Sequence, residues 1–491
     1  MPKSYFLSKS KILSGLQCEK RLWLEVHKPE LREDGAATQF KFSMGNNVGE
    51  VAQRLVPGGC LIDWGEGLSE ALAETKRMIA ESPKTPLFEA TFSHAGVLIR
   101  ADIFFKVRGG FRMVEVKGST SVKDYYLNDC AVQYWVAKGS GYPIKAIELA
   151  HVDNSFVYQG DQNYQGILKH VDVTKEVLTL QKDVPKWVRR FKKILASPMP
   201  KIDVGDHCSD PYECPFCAHC WPEGPEYPLS ILPRASQKLI ESLNREGFED
   251  IRDIPKGVLS SEKQELVRIV TISGKPFVSK ELCGILSSLP FPRYYLDFET
   301  IGTAVPIWKG TRPYQVYLPF QWSCHIEDKS GNLRHEGYLD LAEKEPMRPL
   351  AEKMIKILGK KGAILTYSSF ENSVLSTLAD FLPDLSDDLV KLQKRIVDLL
   401  PIMRANYYHP DMLGSWSIKA VLPTIAPDLD YCDLQEVADG TAAQTAYSEA
   451  LSLDTSDARR QELFDALWEY CKMDTWAMVK IVKNLSADGA V

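Results

Sequence analysis

Residues 293–302 read RYYLDFETIG. In a strand, successive side chains point to opposite faces, so Tyr294, Leu296 and Phe298 share one face while Tyr295, Asp297 and Glu299 share the other. One face suits a core and the other presents paired charge. Side chains two apart on a strand lie roughly 6.5 to 7 Å from each other, so this pair can jointly hold hard cations. An isolated D-x-E is more often a solvated strand face, and the rest of the chain has to decide.

Downstream, ILTYSSFENSVL places Glu371 just after a predicted strand, on the first turn of a predicted helix. WEYCKMDTWAMVKIV sets Tyr470 and Asp474 four residues apart, on one face of a helix. D-F-E, the F-E segment and Y-C-K-M-D together resemble the DEDD superfamily of 3′-to-5′ exonucleases, in the subclass with a tyrosine four residues before the last aspartate. The resemblance implies a ribonuclease H-like fold. It also implies that Asp297, Glu299, Glu371 and Asp474 bind two Mg²⁺ or Mn²⁺ ions, while Tyr470 orients or deprotonates the attacking water. The second motif departs from the superfamily's usual aspartate by carrying Glu371, and Asp398 in KRIVDLLPIM is a supporting or alternative ligand. Ser417 and Lys419, in GSWSIKAVLP, suit either phosphate contacts or a turn leading into a helix.

A second constellation lies in GVLIRADIFFKVRGGFRMVEVKGST. Asp102 falls on one predicted strand, and Glu115 and Lys117 fall two apart on the next, opposite Val114 and Val116. Carboxylates that hold a cation beside a lysine that positions water make a hydrolytic set, although a cross-strand charge pair has the same pattern. The segment resembles the RecB-like branch of the PD-(D/E)XK nuclease superfamily, which implies a restriction-endonuclease-like α/β domain. Gln133, in DCAVQYWVAK, matches the branch's glutamine, while Ala137 stands where a tyrosine is usual. GNNVGE lacks the histidine of a G-x-x-x-H motif, and Glu50 is the substitute carboxylate.

Four of the eleven cysteines, Cys208, Cys214, Cys217 and Cys220, fall within CSDPYECPFCAHC, a density that points to metal. Zinc held by these four is one reading. With Cys18, in SGLQCEKRLWL, the pattern resembles the iron-sulfur RecB-like nucleases, including those of CRISPR adaptation and of recombination enzymes. That resemblance implies a structural 4Fe-4S cluster bracketing the nuclease core, with Cys18, Cys208, Cys214 and Cys220 as preferred ligands and Cys217 as the extra thiol. Cys60, Cys130, Cys283, Cys324, Cys432 and Cys471 read as small buried hydrophobes.

Composition bounds these readings. A chain of 491 residues exceeds one ordinary core, and 44% hydrophobic with 25% charged residues is globular rather than disordered. A net charge of −6 gives no global basic footprint for nucleic acid. Without a membrane-length apolar run, a secretory start or a P-loop, the expectation is a cytoplasmic protein that is neither membrane-bound nor an ATP-driven motor. The expected α/β architecture is an iron-sulfur RecB-like domain over 1–225, a helical connector over 226–290 and a DEDD-type exonuclease domain over 291–491. As a whole the chain is similar to a bacterial domain family of unassigned function. The expected activity is metal-dependent hydrolysis of DNA, single-stranded or at duplex ends, in DNA repair or phage defence. A noncatalytic nucleic-acid-binding scaffold with a degenerate first site, or an RNA-processing exonuclease, are the alternatives.

Overall fold

A computed structural model describes residues 5–65, 67–221, 224–342, 344–429 and 436–486. The chain is mixed α/β and forms two compact units, Met1–Pro222 with Thr303–Gln315, and Glu223–Gly302 with Val316–Val491.

The first unit is built on a mixed sheet of β1 (Leu7–Ser8), β2 (Cys60–Leu61), β3 (Leu87–His94), β4 (Val97–Val107), β5 (Gly110–Lys117), β6 (Ile144–Val152) and β7 (Leu168–Asp172). Its order is β2-β3-β4-β5-β6-β7, with β1 parallel to the start of β4. β5 and β6 run parallel, so a crossover has to join them, and the helix Asp124–Gly139 supplies it. That helix buries Cys130, Val132, Gln133, Tyr134 and Val136 on nearly every side, as a helix through a core does. Residues 303–315 belong to this unit because Ala304 and Val305 pack with Val48, Val51, Val152 and Ile167. The Tyr158 amide also donates to the Thr311 carbonyl at 3.0 Å.

In the second unit a two-stranded ribbon pairs β8 (Phe277–Val278) with a last short strand, β14 (Tyr407–Tyr408). Its main sheet contains β9 (Arg293–Ile301), β10 (Leu318–Glu327), β11 (Leu333–Leu339), β12 (Ala363–Thr366) and β13 (Ile396–Asp398), in the order β11-β10-β9-β12-β13. β9 is central, antiparallel to β10 and parallel to β12. Both of its faces are covered, and its charged face is not the solvated surface that an isolated D-x-E suggests. Trp322, paired with Phe298 across β10, donates its indole N–H to the Leu350 carbonyl at 3.2 Å, which fixes the helix Met347–Leu358 over one face. The helix Asp457–Ser486 covers the other: Ser323, opposite Asp297, lies with its Oγ 3.0 Å from Thr475 Oγ1.

Residues 226–290, read from sequence as a connector, fold into the second unit. Their helices are amphipathic and need cover for their apolar faces, so Leu229, Leu243, Ile251, Leu282 and Leu286 are buried. Arg293, at the start of β9, donates to the carbonyls of Leu286 at 3.0 Å and of Ser287 and Leu289 at 3.2 Å. These are the carbonyls a helix end leaves unsatisfied, so the contact ties the segment to the central strand. β11 and β13 were not legible in the sequence, one being a polar edge strand and the other only three residues long.

Gly414 marks another close approach. Its φ is +75°, and a Cβ there would sit 1.8 Å from the Ile231 carbonyl oxygen, whereas Gly247, at φ +89°, has open space around it. We expect Gly414→Ala to cost about 3 kcal/mol or more and Gly247→Ala about 1 kcal/mol in urea unfolding. Equal costs would show that the Ile231–Gly414 contact does not form.

Candidate functional site

The second unit gathers its expected residues around one cavity of about 1070 Å³. Asp297 and Glu299 come from β9, Glu371 from the first turn of the helix Phe370–Phe381, and Tyr470 and Asp474 from the helix Asp457–Ser486. Strand alternation puts the first two on one face, and four-residue helical spacing puts the last two on one face. Glu299, Glu371, Tyr470 and Asp474 are all buried. Burial, and then the neighbouring Asp474, Glu299 and Glu371, raise the Asp297 carboxyl well above the usual range. Burial and Asp474 raise Glu299, against a smaller opposing effect from Lys419. Burial also raises Glu371, whose carboxylate accepts from the Ser368 hydroxyl at 3.4 Å.

One residue of this cluster was missed from sequence. Cys471, read as a buried hydrophobe, points its thiol at Asp297 Oδ2, 3.5 Å away. One ligand atom from each of Asp297, Glu299 and Cys471 lies within 4.8 Å of the others, close enough to share an ion. Burial and then Asp297 raise the thiol well above its usual range, so oxygen donors dominate the set. The signal available in the sequence was its position next to Tyr470 and one helical turn before Asp474.

Hydrogen bonds beneath the cluster hold the long helix in phase. Thr475 Oγ1 lies 2.8 Å from His325 Nδ1, and Ser323 Oγ lies 2.8 Å from His335 Nε2. Gln321, paired with Glu299, donates to the Leu467 carbonyl at 2.8 Å. Ser417 caps the helix Ile418–Ile425, accepting from the Ala420 amide at 3.3 Å, and Lys419 Nζ sits 5.2 Å from the Tyr470 ring centre. Asp398 also spends its carboxylate on a cap, taking the Leu400 amide at 2.9 Å.

The first unit brings Glu115, Lys117 and Gln133 together. Lys117 Nζ lies 2.6 Å from Glu115 Oε1 and 2.6 Å from Asp129 Oδ2. Gln133 donates to Glu115 and, at 3.1 Å, to Asp129 Oδ1. Asp102 accepts the Val116 amide at 2.7 Å. Two partners were not foreseen. Asp129 sits one helical turn before Gln133, and Lys9, from the chain's start, reaches Glu115 Oε1 at 2.7 Å and Asp129 Oδ1 at 3.5 Å. Burial raises Glu115 and Asp102, while the Lys117 and Lys9 ammoniums outweigh burial at Asp129 and hold it well below the usual range. Glu50 does not join the cluster. Val48 and Val51 take the inward side of the helix Ala36–Arg54, which leaves Glu50 exposed.

Cys18, Cys208, Cys214, Cys217 and Cys220 line one small cavity of the first unit, and none is in a disulfide. Burial raises Cys18, Cys214 and Cys217, and the neighbouring thiols add to each shift. A cation would relieve that cost, because thiolates bind metal. Cys217, read as the extra thiol, stands beside Cys208 and Cys220. Cys432 lies outside the described residues.

Residues 294–417 match a family described as a domain of unknown function (DUF2779). The match spans Asp297, Glu299, Glu371 and Asp398 and stops before Tyr470 and Asp474. No curated protein matches the chain.

Crowded carboxylates destabilise the fold until a cation neutralises them. In EDTA at neutral pH, Asp297→Asn is therefore expected to stabilise the protein by about 1–3 kcal/mol. Mn²⁺ is expected to raise the melting temperature of the wild type more than that of the variant. A destabilised variant, or equal Mn²⁺ shifts, would count against the metal site.

Proposed function

We propose that the protein is a metal-dependent nuclease whose second unit hydrolyses DNA phosphodiester bonds from a 3′ end. The observation that carries this reading is the convergence of Asp297, Glu299, Glu371 and Asp474 with Tyr470 on one cavity. A buried cluster of like charges that lowers stability is the kind of arrangement retained for function. The sheet with β9 at its centre supports a ribonuclease H-like domain of the DEDD type.

Two divalent ions would be held by the four carboxylates and would supply charge neutralisation at the phosphate and a nucleophile at neutral pH. The chain's own groups do the rest. Tyr470, held on the same helical face as Asp474, orients the attacking water through its hydroxyl. The Cys471 thiol donates to Asp297 and keeps that carboxylate turned toward Glu299. Lys419 lines the same cavity, acts electrostatically on Glu299 and donates to the Ala438 carbonyl.

In the first unit, Cys18, Cys208, Cys214, Cys217 and Cys220 around one cavity support a structural metal centre, and the participation of Cys18 from far upstream supports a 4Fe-4S cluster over zinc.

A second reading of this unit is favoured by Lys9. Together with Lys117 it neutralises Glu115 and Asp129 from within the chain, so this half suits a noncatalytic nucleic-acid-binding role.

The test is cleavage of end-labelled DNA in Mn²⁺ by wild type, Asp297→Ala and Lys117→Ala. We expect 3′-end degradation to fall at least about 100-fold in Asp297→Ala, with little change in Lys117→Ala. Equal activity in all three would overturn the assignment, and a distinct loss in Lys117→Ala would make the first unit a second nuclease. Matched RNA strands cut faster than DNA would move the substrate to RNA. Anaerobically purified protein is expected to show a visible absorption band that Cys208→Ser weakens. A colourless protein with stoichiometric zinc would refute the cluster.

A further inference from the structure

The cavity that holds the carboxylates has a second wall of opposite charge. Arg234, Lys263 and Arg404 line it, from the loop before the helix Gln237–Arg245 and from the helices Glu262–Ser273 and Leu399–Asn406. Among the described residues, none of the three side chains shows a hydrogen bond or an ion pair within 4.0 Å, and Arg404 alone has a carboxylate, Asp398, near enough to act on. The three crowd one another. Burial, then Arg404 and Arg234, depress the Lys263 ammonium, which also stands 5.0 Å from the Trp416 ring centre.

Two further features mark this wall. Arg234 holds a left-handed backbone, with φ at +51°, a conformation that costs energy for a non-glycine residue. Tyr367 also lines the cavity, and its hydroxyl lies buried beneath that lining with no hydrogen-bond partner among the described residues. Three cations whose one neighbouring carboxylate, Asp398, already accepts the Leu400 amide lack an acceptor that carries negative charge. A phosphate has both properties, and the arginine fork matches its oxygens two at a time.

We propose that Arg234, Lys263 and Arg404 form a phosphate subsite that seats the non-scissile backbone of a single nucleic-acid strand whose end lies at the carboxylates. The inference rests on the nuclease reading and gives it a substrate class: a strand with more than one phosphate, held by its backbone and not by its bases. Phe370, half-buried on the same lining, offers a ring on which a base of any sequence can stack. Residues 226–290 thereby become part of the substrate site, because they supply two of the three cations. The wall also explains how an acidic protein admits an anionic strand, since attraction depends on local charge and not on the net total.

The test uses the full-length protein and separates binding from cleavage. Fluorescence anisotropy of a labelled single-stranded DNA of about 15 nucleotides is followed across salt concentrations in EDTA, for wild type and for Arg234→Gln/Lys263→Gln/Arg404→Gln. Each phosphate contact contributes about 0.7 to the slope of log affinity against log salt for single strands, so the triple variant is expected to lose about 2 from that slope. Arg234→Lys/Arg404→Lys is expected to keep most of it. In Mn²⁺, the triple variant is expected to raise KM for the oligonucleotide at least about tenfold, while hydrolysis of the p-nitrophenyl ester of thymidine 5′-monophosphate, which has no second phosphate, stays unchanged. An unchanged slope, or equal losses on both substrates, overturns the subsite. If wild type cleaves neither substrate but the slope still falls, the nuclease reading fails and the subsite stands. An RNA strand of equal length showing the same fall confirms that the shared backbone is what is read.

Discussion

Like-charge repulsion among Asp297, Glu299, Glu371 and Asp474 is the constraint to which the second unit answers. Each carboxylate loses solvation on burial and feels its neighbours, so the cluster opposes folding unless the surrounding structure holds it. The restraint is visible in layers. β9 is fixed by its two neighbours and by the Arg293 contacts at its start. The helix Asp457–Ser486 is fixed by an apolar stripe including Leu463, Leu467, Met478 and Leu485, and by the hydroxyl and imidazole contacts of Thr475. Arg395, just before β13, donates to the Leu358, Gly359 and Gly362 carbonyls at 3.0, 2.7 and 3.0 Å, which secures the turn that leads into β12 and hence toward Glu371.

The parts of this arrangement that were legible in the sequence are those in which one residue type and one local period coincide. Asp297 and Glu299 obey the two-residue period of a strand. Tyr470 and Asp474 obey the four-residue period of a helix, and Glu371 sits where a strand hands over to a helix. The strand–hairpin pattern carrying Asp102, Glu115 and Lys117 is local in the same way. Each can be read without knowing what packs against it.

What escaped depends on distance along the chain or on helical phase. Lys9 lies 106 residues from Glu115, and no local pattern connects them. Arg234, Lys263 and Arg404 come from three elements that meet only after residues 226–290 have packed into the second unit. Cys471 was hidden by its type, since a buried cysteine in a helix is ordinarily a small hydrophobe. Glu50 failed by phase alone: with Val48 and Val51 claiming the core side, a glutamate between them faces water.

The two acidic clusters solve the same electrostatic problem by different means. In the first unit, three carboxylates, Asp102, Glu115 and Asp129, meet two lysines from their own chain, and Gln133 bridges two of the acids. Most of the compensation comes from the chain's own lysines. In the second unit the four carboxylates have Lys419 close by, while on the far wall Arg404 acts on Asp398 and, with Arg234, depresses Lys263. That cluster is left with a charge excess that bound protons or a mobile cation removes, and the wall with an excess of opposite sign that an anion removes. On the nuclease reading, a divalent ion and a phosphate strand would cancel both at once, and the cavity would be stabilised more by the pair than by either alone. On that reading, the placement of charges in this sequence would tie metal affinity in the second unit to the presence of substrate.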